Sequence, residues 1–144
     1  MAERVWGTLV KDFAIVGVRG YFRPRGAVSL VQAVEMVDAA LEFACGQGLR
    51  EVVVDVTGLT GFASPAASQR FFFITQWAQT VHGRARVAVI ARPEFIDPRR
   101  FGNTVAANRG FQAQVFAAEA DAVAWLSRLA HVQGSDTTVE KCSA

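Results

Sequence analysis

The chain has 144 residues, 51% of them hydrophobic, which is the size of one domain able to close a single core without metals or disulfides. Its longest apolar runs, VVV at 52–54 and VFAAEADAVAWL at 115–126, are too short or too interrupted by acids for the roughly 18–20 residues of a membrane helix, which excludes a membrane span. The net charge of +2 comes from 15 basic and 13 acidic residues. Six arginines fall between Arg84 and Arg109, but without interleaved aromatics and glycines they read as a solvated surface, and nucleic acid is not an expected partner.

The opening residues, MAERVWGTLV, lack the charged start, apolar stretch and cleavage site of a secretory signal, so the expected location is cytoplasmic. Residues 4–10 and 13–19 are two β-rich runs separated by Lys11 and Asp12, predicting a hairpin or tightly connected strand pair. YFRPRGAV follows as a loop marked by Pro24 and Gly26. Ser29 and Gln32 form a capping-box pattern, and Leu30, Val34, Val37, Leu41 and Ala44 recur at helical spacing, predicting an amphipathic helix over 30–45. Cys45 near its end and Cys142 in the polar tail have neither CxxC spacing nor neighbouring histidines, so both are expected as free thiols and no metal site is expected.

EVVVDV at 51–56 has the β-branched run of a strand buried on both faces. A small-residue loop then leads into a second helix over about 65–82, ending at His82 and Gly83. ARVAVIA at 85–91 is the next buried strand, and Asp97 before Pro98 is placed as the cap of a third helix running to Gly110. FQAQVF at 111–116 alternates like a strand, and residues 119–129 form a closing helix with acids in its first turn. Residues 131–144 are polar and patternless, a flexible tail after a domain covering 1–130. The order β-β-α-β-α-β-α-β-α predicts an α/β fold with a mixed, mostly parallel sheet of five strands and four helices. Right-handed crossovers would open the loops after Asp55, Ala91 and Phe116 on one edge, where any site belongs.

Ser64, before Pro65, stands at that edge with three readings: a helix cap, a phosphate acceptor with Arg92 as counter-charge, or a nucleophile. The last needs a general base, and the only histidines are His82 and His131. His82 ends the helix that Ser64 begins, 18 residues on, or roughly 27 Å at about 1.5 Å per residue, and His131 is expected at the same far edge. No GxGxxG or GxxxxGK[ST] occurs among the 12 glycines, so no nucleotide cofactor is expected. Asp55 is explained by capping loop N–H groups such as those of Thr57 or Gly58. A carboxylate-based enzyme using Asp55, Asp97 or Glu119 is the catalytic alternative.

The run Phe71–Phe73 cannot lie on one helix face, because successive residues turn by about 100°. Ala67, Phe71, Ile74, Ala78 and Val81 are read as the core stripe, Phe73 and Trp77 as a second stripe, and Phe72 as lying on the polar side. Phe72, Phe73 and Trp77 are thus candidates for an apolar interface with a partner protein or a second copy.

VVVDVTGLTGFASPAAS resembles the strand-loop-helix of the STAS domains, and VFAAEADAVAWL is similar to the SpoIIAA-like STAS/SEC14 group of bacterial proteins. The resemblance covers residues 4–130 and implies a SpoIIAA-like fold. In phospho-regulated members an acid precedes the phosphorylated serine; here Ala63 replaces it, with Ser64 at the matched position. What this implies is a non-enzymatic regulatory or protein-interaction domain, switched at Ser64. The alternative is a carrier or sensor of a small apolar or anionic molecule, implied by the lipid-binding branch and by helix N-termini converging with Arg92, Arg99 and Arg100.

Overall fold

A computed structural model of the chain describes residues 11–97 and 101–129. The strand predicted over 4–10 and the tail after 130 lie outside the described residues. The run predicted as one strand over 13–19 is in fact a hairpin of its own: β1 (Phe13–Val16) pairs antiparallel with β2 (Arg19–Phe22). Gly17, at φ 63, supplies the positive φ that a two-residue hairpin loop demands, and the flanking valines concealed the turn inside a β-branched run.

The remaining elements follow the predicted order. Helix α1 (Leu30–Gly46) begins with the full capping box: the Gln32 N–H donates to Ser29 Oγ at 3.1 Å and the Ser29 N–H to Gln32 Oε1 at 2.9 Å. Its buried residues, Ala33, Val37, Ala40, Leu41, Ala44 and Cys45, keep the spacing of one helix face. Then come β4 (Glu51–Asp55), α2 (Ala67–Val81), β6 (Arg86–Ile90), α3 (Phe101–Asn108), β7 (Ala113–Phe116) and α4 over 119–129. Two short strands were not foreseen: β3 (Gly26–Ala27) and β5 (Leu59–Thr60) form a separate parallel ladder.

The main sheet has the order β1-β2-β4-β6-β7, with every pair after the hairpin parallel. The crossovers β2→β4, β4→β6 and β6→β7 all step in one direction across the sheet, so a constant right-handed sense places α1, α2 and α3 on one face. Side-chain alternation agrees with this. Val52, Val54 and Val87 point into the core shared with those helices, while Val53, Ala88 and Ile90 point oppositely onto Ala122, Trp125 and Leu126 of α4. The described residues are therefore α/β, with four helices and a mixed, mostly parallel five-stranded sheet. Among the described residues no helix is long and apolar enough to cross a membrane.

At the opposite edge from the candidate site, Glu51 opens β4 in register with Arg19 on one side and Arg86 on the other. It accepts from Arg19 Nε and from Arg86 Nη2, each at 2.9 Å, and is itself buried. One carboxylate thus ties the starts of three strands.

Candidate functional site

The parallel strands end at Phe22, Asp55, Ile90 and Phe116, and their exits open on one edge as the crossovers require. The β3/β5 ladder holds the chain leaving β4 close to this edge, with the Val28 N–H donating to Thr60 O at 2.8 Å. At Gly61 the backbone takes φ 101 and passes so near Val28 that an added Cβ would lie 2.5 Å from its carbonyl oxygen. Only glycine fits both conditions, and the turn it makes delivers Phe62 to the rim. Phe62 meets Phe95, from the 3-10 turn Pro93–Phe95, with ring centroids 5.7 Å apart.

Beneath this rim lies an apolar cavity of about 120 Å³ between the sheet and the helices. Leu30 and Val34 of α1, Phe73 and Trp77 of α2, and Val89 and Val115 of the sheet are among its walls. Alanines 33, 91 and 113 also line it, where larger side chains would close the space. Among the described residues, the charged ones at its lining are Arg70 and Asp97.

The structure corrects the place of Ser64. Helix α2 starts later than expected, with Ala66 at the cap position, so neither Ser64 nor Pro65 caps or opens it. Among the described residues Gln69 supplies the side-chain acceptor at this end, its Oε1 taking the Ala66 N–H at 2.8 Å. Ser64 Oγ instead accepts from Arg70 Nη2 at 3.0 Å. The same guanidinium donates to Phe95 O at 2.9 Å and, through Nε, to Pro65 O at 3.1 Å. Arg70 therefore clasps the segment before α2 to the 3-10 turn.

The expected counter-charge, Arg92, is engaged elsewhere: it donates to Leu59 O at 3.1 Å, lies 4.8 Å from the Phe95 ring centroid and approaches Glu94 at 4.0 Å. Sequence reasoning missed Arg70. The available signals were Gln69 at the third helical position after Ala66, which resets the helix start, and the Pro65 backbone preceding it. Arg99 and Arg100 lie outside the described residues, as does Pro98, the partner in the Asp97 capping expectation.

On the α4 side of the same edge the charges compensate one another. Arg23 holds Glu119 through both terminal guanidinium nitrogens, Nη2 at 3.2 Å, and approaches Asp55 at 3.6 Å. The hydrogen bonds from Arg23 hold the Glu119 carboxyl below its ordinary value, and the same bonds raise Arg23. Asp55 Oδ1 also takes the Thr57 N–H at 3.0 Å and the Thr57 hydroxyl at 2.6 Å, the loop-capping role expected of it. His82 sits beyond the other end of α2 in a left-handed conformation at φ 53. The 15-residue helix separates it from Ser64 by about 22 Å; His131 lies outside the described residues.

The three phenylalanines divide differently from the expectation. Trp77 is 7% exposed, donates Nε1–H to Val34 O at 3.1 Å, and stacks on Phe73 with ring centroids 4.7 Å apart. Both belong to the core and the cavity rather than to an interface, whereas Phe71, expected in the core, is 40% exposed and Ala67 is exposed too. Phe72 is 74% exposed, as expected, and meets Phe71 edge-on at 6.1 Å, with the Arg109 guanidinium 5.3 Å from the Phe71 ring centroid.

In comparisons with known families and curated proteins, no family model and no curated sequence matches the chain. Among the described residues no group of three or more His, Cys, Asp or Glu side chains could hold a metal ion.

Proposed function

We propose that this chain is a STAS-like binding domain that carries or senses a small, largely apolar molecule in the cavity under the carboxyl edge of its sheet. The STAS element rests on the resemblance at residues 52–68 and 115–126. The observation that carries the binding reading is the cavity itself. At about 120 Å³ and walled by aliphatic and aromatic side chains, it is close to the roughly 150 Å³ of an engineered apolar cavity that takes up benzene. A ligand with an apolar body of about five or six non-hydrogen atoms would fill it. The rim pair Phe62 and Phe95 and the Arg70 clasp line the same space.

Native mass spectrometry of protein purified from cells tests this reading. A retained small-molecule mass that disappears on denaturation is the expected result. A bare protein mass, with no uptake of hexan-1-ol on titration, would reject it.

A second reading, regulation through a protein partner or a second copy, is favoured by the exposed Phe71–Phe72 pair on α2. Sedimentation of the wild type and of Phe72→Gln tests the second-copy form: an oligomer that the substitution dissolves supports self-association, and monomers in both reject it.

A further inference from the structure

Arg70 is the one cation among the described residues that line the cavity, and its partners are all neutral. Nε and Nη2 donate to a proline carbonyl, a phenylalanine carbonyl and a serine hydroxyl. Among the described residues no carboxylate lies within 4.0 Å of it, and Nη1 has no hydrogen-bond acceptor. Asp97 lines the same cavity, but it does not pair with Arg70 and has an interaction of its own. Among the described residues, a half-buried guanidinium at a mostly apolar wall thus has no anion paired with it.

We propose that the cavity's occupant is a small anionic amphiphile, an aliphatic or aromatic body ending in a carboxylate, and that Arg70 binds that carboxylate. This rests on the cavity being a binding site. A guanidinium presents two parallel N–H donors that match the two oxygens of a carboxylate. Here Nη1 is available, and Nη2 would exchange the Ser64 hydroxyl or the Phe95 carbonyl for a charged acceptor, which makes the stronger hydrogen bond. One guanidinium balances one negative charge, which favours a carboxylate over a phosphate dianion. The apolar walls take the body of the ligand, and burial of each methylene adds to affinity.

Three probes with the same six-carbon chain separate the components: hexanoate, hexan-1-ol and hexylamine, titrated at pH 7.5 by calorimetry or chemical-shift perturbation. Hexanoate should bind the wild type about tenfold more tightly than hexan-1-ol. Arg70→Gln should abolish that advantage while hexan-1-ol binding stays within about twofold, which also shows that the cavity is intact. Arg70→Lys, which keeps the charge, should retain part of the advantage.

Hexan-1-ol binding as tightly as hexanoate, or hexanoate binding unchanged by Arg70→Gln, overturns the assignment of Arg70 while leaving the cavity reading in place. Tighter binding of hexylamine would transfer the polar end to Asp97 and likewise overturn it. Failure of all three probes rejects the cavity as a binding site, and this proposal with it.

Discussion

The Ser64 hydroxyl accepts from Arg70 Nη2 at 3.0 Å across a six-residue separation, and the residue at the cap of the intervening helix is Ala66. Helix α2 therefore begins without a side-chain oxygen on its first free N–H groups. Ser64→Ala should change stability by no more than about 0.5 kcal/mol, because it removes one exposed hydrogen bond. Ala66→Ser or Ala66→Asp should instead stabilise the protein by about 0.5–1 kcal/mol by supplying the missing cap. Urea denaturation of the three variants checks the contrast.

Gly61→Ala should destabilise by about 2–4 kcal/mol. The residue is held at φ 101, where an alanine is strained, and its new methyl would meet the Val28 carbonyl at 2.5 Å. The same denaturation measurement checks it. Loss of the β3/β5 ladder should accompany the change, read as faster amide exchange at Val28.

The Arg23–Glu119 pair predicts a pH signature. Because Arg23 lowers the folded-state value of Glu119, the pair's contribution is fully present above the ordinary glutamate value near 4.5 and is lost as pH falls through the lower folded value. Both side chains are 43% exposed, so the effect is that of a surface pair, below about 1 kcal/mol and weakened by salt. Glu119→Gln should be less stable than the wild type at pH 7 by that amount. The two proteins should converge as pH drops below the folded-state value, which melting curves across pH 2–7 would show.

Ala33→Leu tests the cavity without touching its charged residues. Ala33 is buried on α1 and lines the space, and leucine is a strong helix former. The added carbons should enter the void and block hexan-1-ol uptake at a stability cost below about 1 kcal/mol, smaller than the 1–3 kcal/mol typical of overpacking a full core. Retained uptake would show that the probe binds elsewhere.

The strands and helices were legible wherever local chemistry agreed with burial. VVVDV marks a doubly buried strand, and Ser29 with Gln32 marks the start of α1 at the residue observed. The Gly17 turn was not, because valines on both sides satisfy strand and hairpin alike. Nor did periodicity fix which aromatic stripe of α2 faces inward. Phe71 and Phe73 are both plausible from a helical wheel, and the choice is made by the Trp77 contact with Val34 on α1, a tertiary fact. The edge that holds the candidate site followed from element order alone. The cavity did not, since a void is the difference between backbone spacing and the summed volumes of side chains such as Ala33, Ala91 and Ala113 from separate elements. Arg70 escaped notice because its reach back to Ser64 depends on where the helix starts, which Gln69 decides.

The position of Glu51 between two arginines also bears on how the strands choose their alignment during folding. Side chains alternate faces with a period of two, so a slip of β4 by a single residue would turn the Glu51 carboxylate to the other side of the sheet, away from both guanidinium groups. Two of the three fully buried valine positions would still hold valine, but the third would take Glu51 or Asp55. The aliphatic run by itself is therefore nearly blind to the error, and it is the two acids bounding it, Glu51 at the head and Asp55 at the tail, that distinguish the correct pairing from its neighbours.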